Sequence, residues 1–226
     1  MIKVFDSLPS TNDYIRQNLS ELEDRSFIIA REQTLGRGRL GRKWLSTKDK
    51  GLYFSVLLRP KKLETVLALP IVMGLALARA FVLLGFCPKI KWPNDLLVND
   101  RKISGILTEL VSNSVIVGIG VNVSHKAEDF PDTLRLPATS LRMEGKTFDT
   151  MEVFSVIKDE LLKAYDEFLL TQSVNEEVNK YLSLKPSLAM IEGNFREVKI
   201  KKITASGRLS VSIDGEEREL ESGELC

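Results

Sequence analysis

A chain of 226 residues, 43% hydrophobic and 28% charged, is long enough for one substantial core plus a small appended module. Its net charge of +1 excludes a chain-wide polyanion surface. Its two cysteines, Cys87 and Cys226, lack metal-type spacing and read as free thiols in a reducing, cytoplasmic setting. No basic region followed by an apolar signal segment opens the chain, so secretion is not expected.

In chain order, MIKVFDSL reads as a short strand, and Ser10, Thr11, Asn12 and Asp13 then offer N-caps for a helix through Leu19. SFIIAREQT is a strand with a polar finish; a basic glycine run follows, and GLYFSVLLRP returns to a strand pattern. Val66–Phe86 is about long enough to span a bilayer, but it carries Arg79 near its middle and a break at Pro70. A core helix laid on a sheet is the expectation there. KIKWPND opens a strand interrupted by Pro93, LLVNDRKISGILTEL is two strands joined at Asn99-Asp100, and VSNSVIVGIGVNVS continues the sheet. Consecutive hairpins call for antiparallel or mixed pairing, not repeated βαβ units. A helix is expected over Thr150–Leu170, with Val153, Phe154, Ile157, Leu161, Leu162 and Tyr165 on one face, and a shorter one over Val174–Leu182. After Lys185-Pro186, REVKIKKI, GRLSVSID and EERELE are short strands of a small β-module.

The glycine run GRGRLG, Gly36–Gly41, has the G-x-G-x-x-G spacing of a dinucleotide turn. The required helix does not follow, since RKWLSTKDKG lacks apolar helical periodicity. About twenty residues on, where an acid should meet a ribose, stands Arg59-Pro60-Lys61-Lys62, and no G-K-[ST] makes a Walker loop. Between Arg31 and Lys50 seven basic residues face only Glu32 and Asp49. What remains is a loop presenting Arg37, Arg39 and Arg42: either a self-repelling anion holder that closes on its ligand, or a basic surface turn.

Taken with LPSTNDY, KWPNDLLV, RKISGILTE and VGIGVNV, the run REQTLGRGRLGRKW strongly resembles the catalytic domain of biotin protein ligases, with five motifs in the family's order between Pro9 and Val123. The resemblance implies an α+β fold: a mixed, largely antiparallel sheet with helices packed on it, of class II synthetase-like type, over residues 1–185. A small C-terminal SH3-like β-barrel over 186–226 completes it. The implied reaction is two-step. Biotin and ATP give biotinyl-5′-AMP and pyrophosphate, and the biotinyl group passes to a lysine of a biotin carboxyl carrier domain.

The resemblance also implies roles. Lys102, Arg37 and Arg39 are the catalytic candidates, since cations must hold two anions together and absorb charge at the α-phosphorus. Biotin falls to Ser10, Thr11, Asn12, Gln33, Gly36, Arg37, Lys102 and Gly105, with hydroxyls and amides for the ureido ring. ATP falls to Arg39, Arg42, Trp44, Asn94, Lys102 and Asn122, with Trp44 stacking on adenine. Read without the family, Lys102 is an exposed hairpin lysine, Ser10-Thr11 a helix cap, Trp44 a core or rim anchor, and Asn94 a turn residue. Lys91 and Asp95 orient the site or meet phosphate and Mg²⁺, which enters with the ATP phosphates and has no assigned ligands. Gly105, Gly118 and Gly120 are expected to admit a ligand close to the strands. His125, the only histidine, receives no metal or catalytic role.

Only nine residues precede Ser10, too few for a helix-turn-helix module, so no operator-specific DNA binding is expected. A homodimer through the sheet is compatible with the family. Two rival functions remain: a lipoate ligase or octanoyl transferase of related fold, and a non-enzymatic nucleic-acid binder. The second is weakened because the module from Pro186 onward has one aromatic, Phe195, and more acids than bases.

Overall fold

The computed structural model describes residues 1–226 except 62, 192, 193, 222, 224 and 226. Cys226, read above as a free thiol, lies outside the described residues. Seven strands form the main sheet: β1 (Ile2–Phe5), β2 (Phe27–Ala30), β3 (Gly51–Leu58), β4 (Pro88–Lys91), β5 (Asp95–Val98), β6 (Arg101–Val111) and β7 (Ser114–Asn122). Their order is β1-β2-β3-β7-β6-β5-β4. Only β1 and β2 run parallel, and every other neighbouring pair is antiparallel. The mixed pairing follows from the connections. Two-residue turns such as Asn99-Asp100, both at positive φ, close hairpins, whereas the helix between β1 and β2 forces a parallel crossover.

Helix α1 (Thr11–Gln17) packs on one face, and α2 (Leu69–Leu83) and α3 (Thr150–Thr171) cover the other. The two-residue alternation of the strands divides the apolar side chains. Phe54 and Val56 of β3, with Val117 and Ile119 of β7, point to the large core under α2 and α3. Ile28, Leu57 and Ile116 point the other way, to Ile15 of α1. Helix α2 is buried on nearly every side. Its segment is apolar enough to cross a membrane, yet most of it lies inside the protein. Arg79, only 12% exposed, meets Glu177 at 2.6 Å and Glu167 at 3.0 Å, so the charge within the apolar run is paired inside the fold. The expected helix from Val66 differs at its start: Leu63–Ala68 is a 3₁₀ turn, and Pro70 sits in the first turn of α2, where a missing N–H costs nothing.

Helix α3 is capped by Asp149, which accepts from the backbone N–H groups of Met151 and Glu152. Helix α4 is shorter than expected, Val178–Tyr181. The C-terminal sheet has four antiparallel strands, β8 (Ser187–Ile191), β9 (Asn194–Ile203), β10 (Leu209–Ile213) and β11 (Glu216–Leu220), in the order β11-β10-β9-β8. The sequence pattern marks the last three and misses β8, whose short SLAMI run carries no alternation. Trp92, 2% exposed, donates from Nε1 to the Gly207 carbonyl at 3.3 Å and thereby joins the module to the main sheet.

Candidate active-site cleft

On the α1 face of the sheet the side chains thin out. Beyond Leu57 and Ile116, the positions turned this way are Ser55 and Tyr53 on β3, Gly118, Gly120 and Asn122 on β7, and Leu107 and Gly105 on β6, the last cross-strand from Gly120. A strand face without side chains beside one that has them is a depression, and the cavity here measures about 250 Å³. Its walls are the start of α1, the loop 37–45, the turn 91–95 between β4 and β5, and the segment 130–138, with Leu225 at its edge. All the candidates except Gly36 line it, and Gly36 lies directly behind Trp44 and Ser46 in the loop.

At one end the polar groups form a chain. Gln33 Oε1 accepts from the Thr11 backbone N–H at 2.8 Å and the Thr11 hydroxyl at 3.1 Å, while its Nε2 donates to Ser46 Oγ at 3.1 Å. Thr11 and Ser55 share a hydroxyl contact of 2.6 Å, and Ser55 donates to Asn12 Oδ1 at 2.5 Å. Ser10 accepts from the Asp13 N–H and caps the helix, the local duty the sequence allowed beside ligand binding. Asn12 lies over Gly118, where a Cβ would fall far inside the 3.0 Å limit of real Cβ contacts. The clearance at Gly118 therefore admits a protein amide.

The glycine loop is folded against the cleft. Trp44 N–H donates to Gly36 O at 3.0 Å and Gly38 N–H to Arg42 O at 2.7 Å, a small hairpin around a 3₁₀ turn at Arg39–Gly41. Two glycines have distinct causes: a Cβ on Gly36 would sit 2.7 Å from Trp44 O, and Gly41 has φ +72°. The expectation of a self-repelling set of guanidiniums needs correcting, because protein groups already hold them. Arg37 places two nitrogens on the Asp13 carboxylate at 2.5 and 2.6 Å. This pairing holds the Asp13 carboxyl below its usual range and raises Arg37. Arg39 donates to Asn94 Oδ1 and to the Gly223 carbonyl, each at 3.1 Å.

At the centre, Lys102 pairs with Asp95 at 2.6 Å and lies 5.3 Å from the centroid of the Trp44 ring. That ring covers Gly120 and Gly105; a Cβ on Gly105 would come within 2.9 Å of it and one on Gly120 closer still. The space that these glycines open is thus filled by Trp44, whose Nε1 is buried without a partner. Asn94 donates to Ile106 O at 3.0 Å, and Asn122 donates to Thr139 O at 2.9 Å. In this arrangement both asparagines brace backbone: Asn94 props Arg39, and Asn122 holds the segment 137–139, which also pairs with Lys102 through Lys102 N–Pro137 O and Thr139 N–Lys102 O, each 2.8 Å. Among the described residues no group of three His, Cys, Asp or Glu side chains could hold a metal ion.

Sequence reasoning missed four contributors: Asp13 and Glu109 as partners of the arginines, Ser55, and the segment 130–138. Ser55 had a signal, as the one serine in an otherwise apolar and aromatic strand. The segment had none. His125, fully buried, stacks on Phe130 of that segment with centroids 5.1 Å apart. Burial pushes its pKa down to about 4.

Residues 4–125, just over half of the chain, match the Biotin/lipoate A/B protein ligase family, and the chain belongs to that family. The Bifunctional ligase/repressor BirA of Bacillus subtilis is 37% identical over 157 residues, covering 64% of this chain and 47% of that protein. The Biotin--[acetyl-CoA-carboxylase] ligase of Mycobacterium tuberculosis is 35% identical over 120 residues, 50% of this chain and 45% of the other. The chain spans about half the length of the curated relatives it matches. Among solved structures, the biotin protein ligase from Aquifex aeolicus in complex with biotin and ATP aligns over 100% of this chain and 97% of its own, with TM-score 0.87 and 29% identity. The enzyme from Leishmania major in complex with biotinyl-5-AMP aligns over 98% of each chain, with TM-score 0.69 and 26% identity. The α+β fold with a second small C-terminal sheet is the fold of these ligases.

Proposed function

We propose that the chain activates biotin with ATP to biotinyl-5′-AMP, releasing pyrophosphate, and then transfers the biotinyl group to a lysine of a biotin carboxyl carrier domain. The observation that carries this is the order of chemistry along one cleft. Hydroxyl and amide groups of Thr11 and Gln33 lie at one end, Lys102 and Arg39 at the centre, and the Trp44 ring over bare glycine floor beside them. The first end suits the donors and acceptor of a ureido ring; the centre suits a carboxylate meeting a phosphate. In step one a biotin carboxylate oxygen bonds to the α-phosphorus and the bond to pyrophosphate breaks. In step two a neutral lysine amine attacks the acyl carbon and AMP leaves.

Lys102 holds the two anions together and offsets charge on the α-phosphoryl oxygens, with Asp95 keeping its ammonium turned into the cleft. Arg39, braced by Asn94, covers the same charge from the loop side. For adenine to take the floor of Gly105 and Gly120, Trp44 must lift and stack on it. Magnesium would arrive on the ATP phosphates, as the described residues offer no carboxylate cluster for it. The relatives named for biotin ligation and the neighbour bound to biotin and ATP support this reading. The repressor function in the name of the Bacillus protein is not carried over, because the match covers under half of that chain.

The test is incubation with biotin, Mg·ATP and a biotin carboxyl carrier domain, followed by mass measurement of the carrier. One biotinyl group on the carrier is the expected result. Pyrophosphate release with lipoate equal to that with biotin would shift the assignment to a lipoate ligase, and no acyl-adenylate with either would end it.

A further inference from the structure

The polar end of the cleft and the arginine loop are tied by a network that the proposed chemistry does not use. Arg37 from the loop grips Asp13 of α1 with two nitrogens, at 2.5 and 2.6 Å. Arg16, one turn further along α1, meets Asp13 at 2.6 Å and Glu109 of β6 at 2.8 Å. The second Glu109 oxygen accepts from Asn12 Nδ2 at 2.6 Å. Loop, helix and strand thus meet on two carboxylates. The Asp13 and Glu109 side chains are only 22% and 24% exposed, and the Arg37 pair is bidentate, so this is not a freely solvated ion pair.

We propose that Asp13 is a positioning residue for the acyl-activating site: through Arg37 it holds the glycine loop closed, with Arg39 and Trp44 on the cleft. The inference rests on the function proposed above. The loop's other bonds include those within it, such as Gly38 N–Arg42 O, those that fix its start, Thr34 N–Leu8 O and Leu35 N–Pro9 O, and those of Arg39 to Asn94 and the Gly223 carbonyl across the cleft. Arg37–Asp13 is the side-chain tie that carries the closed hairpin onto α1, beside the Thr11 and Asn12 hydrogen bonds. A loop ordered before biotin arrives does not charge its ordering entropy to binding. Asp13 does not line the cleft, so its effect belongs in KM and not in kcat.

The variant to make is Asp13→Asn, which keeps the shape and leaves the backbone bond to Ser10 Oγ in place. The expected result is a rise of about tenfold in KM for biotin, equivalent to about 1.4 kcal/mol, with kcat at saturating biotin within about twofold of wild type. Amides 36–44 should exchange faster in the ligand-free variant. Adding Asp13→Asn to Arg37→Gln should change neither readout further, because the pair is already broken. Wild-type KM with wild-type exchange overturns the proposal, and so does a fall in kcat at unchanged KM. Exchange is measured without ligand, so it tests the tie even if the wild-type protein makes no biotinyl-adenylate. That outcome would remove the function and leave the positioning role standing or falling by itself.

Discussion

Gly120→Ala puts the architecture of the cleft to the sharpest test, because its effect turns on one clearance, that between the strand and the Trp44 ring. Gly120 has no unusual backbone angle, so alanine is acceptable to the strand itself. The added methyl would fall well inside 3.0 Å of Trp44 Cε2 and Nε1, where ordinary contact begins at 3.4 Å. The ring must therefore retreat by roughly 1 Å or leave the floor altogether. It cannot retreat freely, since Trp44 N is bonded to Gly36 O and the loop is anchored through Arg37 and Arg39. Overpacking of this kind costs about 1–3 kcal/mol, and a domain of this size loses roughly 2–4 °C of Tm per kcal/mol. Gly38→Ala in the same loop is the control: its Cβ would meet nothing nearer than Arg42 O at 3.7 Å, and it should melt as wild type. Tryptophan emission reports the ring, because Trp92, the other tryptophan, is buried against the C-terminal module and does not move. A Gly120→Ala protein with wild-type melting and unshifted emission would show that Trp44 does not rest on the floor, and the account of the bare glycines would fail with it.

Three further outcomes follow from the same geometry. Lys102→Ala and Arg39→Ala should each cut acyl-adenylate formation by about 10²–10³-fold, the usual loss for a cation or donor at developing charge; pyrophosphate release is the assay, and wild-type rates in both would remove these residues from the mechanism. His125 has a folded pKa of about 4 against 6.5 for an ordinary histidine, with Asp129 and Lys50 as its charged neighbours. The unfolded chain therefore takes up the proton first: stability is complete above pH 6.5 and declines as the pH falls toward 4. Between pH 6.5 and 5 the decline should be about 1.5 kcal/mol, read by urea denaturation, and His125→Phe should flatten it; an equal slope in the variant would refute the assignment. Gly74→Ala, inside α2 with its nearest contact an ordinary 3.8 Å to Ile90, should raise stability by up to about 1 kcal/mol, and a lower melting temperature would show that α2 packs more tightly than this distance says.

The parts of the fold legible in the sequence are those governed by neighbours along the chain. Apolar β-branched and aromatic runs mark β3, β6 and β7, Asn99-Asp100 marks a hairpin, and the bare positions Gly105, Gly118 and Gly120 mark a floor. What fills that floor was not legible. Trp44 reaches Gly120 across 76 residues of sequence, and Asn12 reaches Gly118 across 106. Strand β8 and the segment 130–138 escaped because neither carries a period, and their places are set by what they cover.

The arginine loop shows why the charge count misled. Seven basic residues against two acids between Arg31 and Lys50 reads as an unneutralised patch when only the local chain is counted. Arg31, Arg37, Lys48 and Lys50 all meet carboxylates in the folded protein, and three of those four partners come from outside the window. Arg31 meets Asp49, but Arg37 meets Asp13, Lys48 meets Asp6 and Lys50 meets Asp129. The parallel β1–β2 crossover brings Asp6 and Asp13 alongside the run, and the chain after β7 brings Asp129. The pairs lock the ends and the flank of the loop in place. Arg39 is held differently, by the neutral acceptors Asn94 and the Gly223 carbonyl. Such partners fix a guanidinium's direction without cancelling its charge, which is the arrangement required of a cation meant to act on a phosphoryl group. Where composition shows one basic patch, the fold separates cations that build the loop from cations that face the cleft.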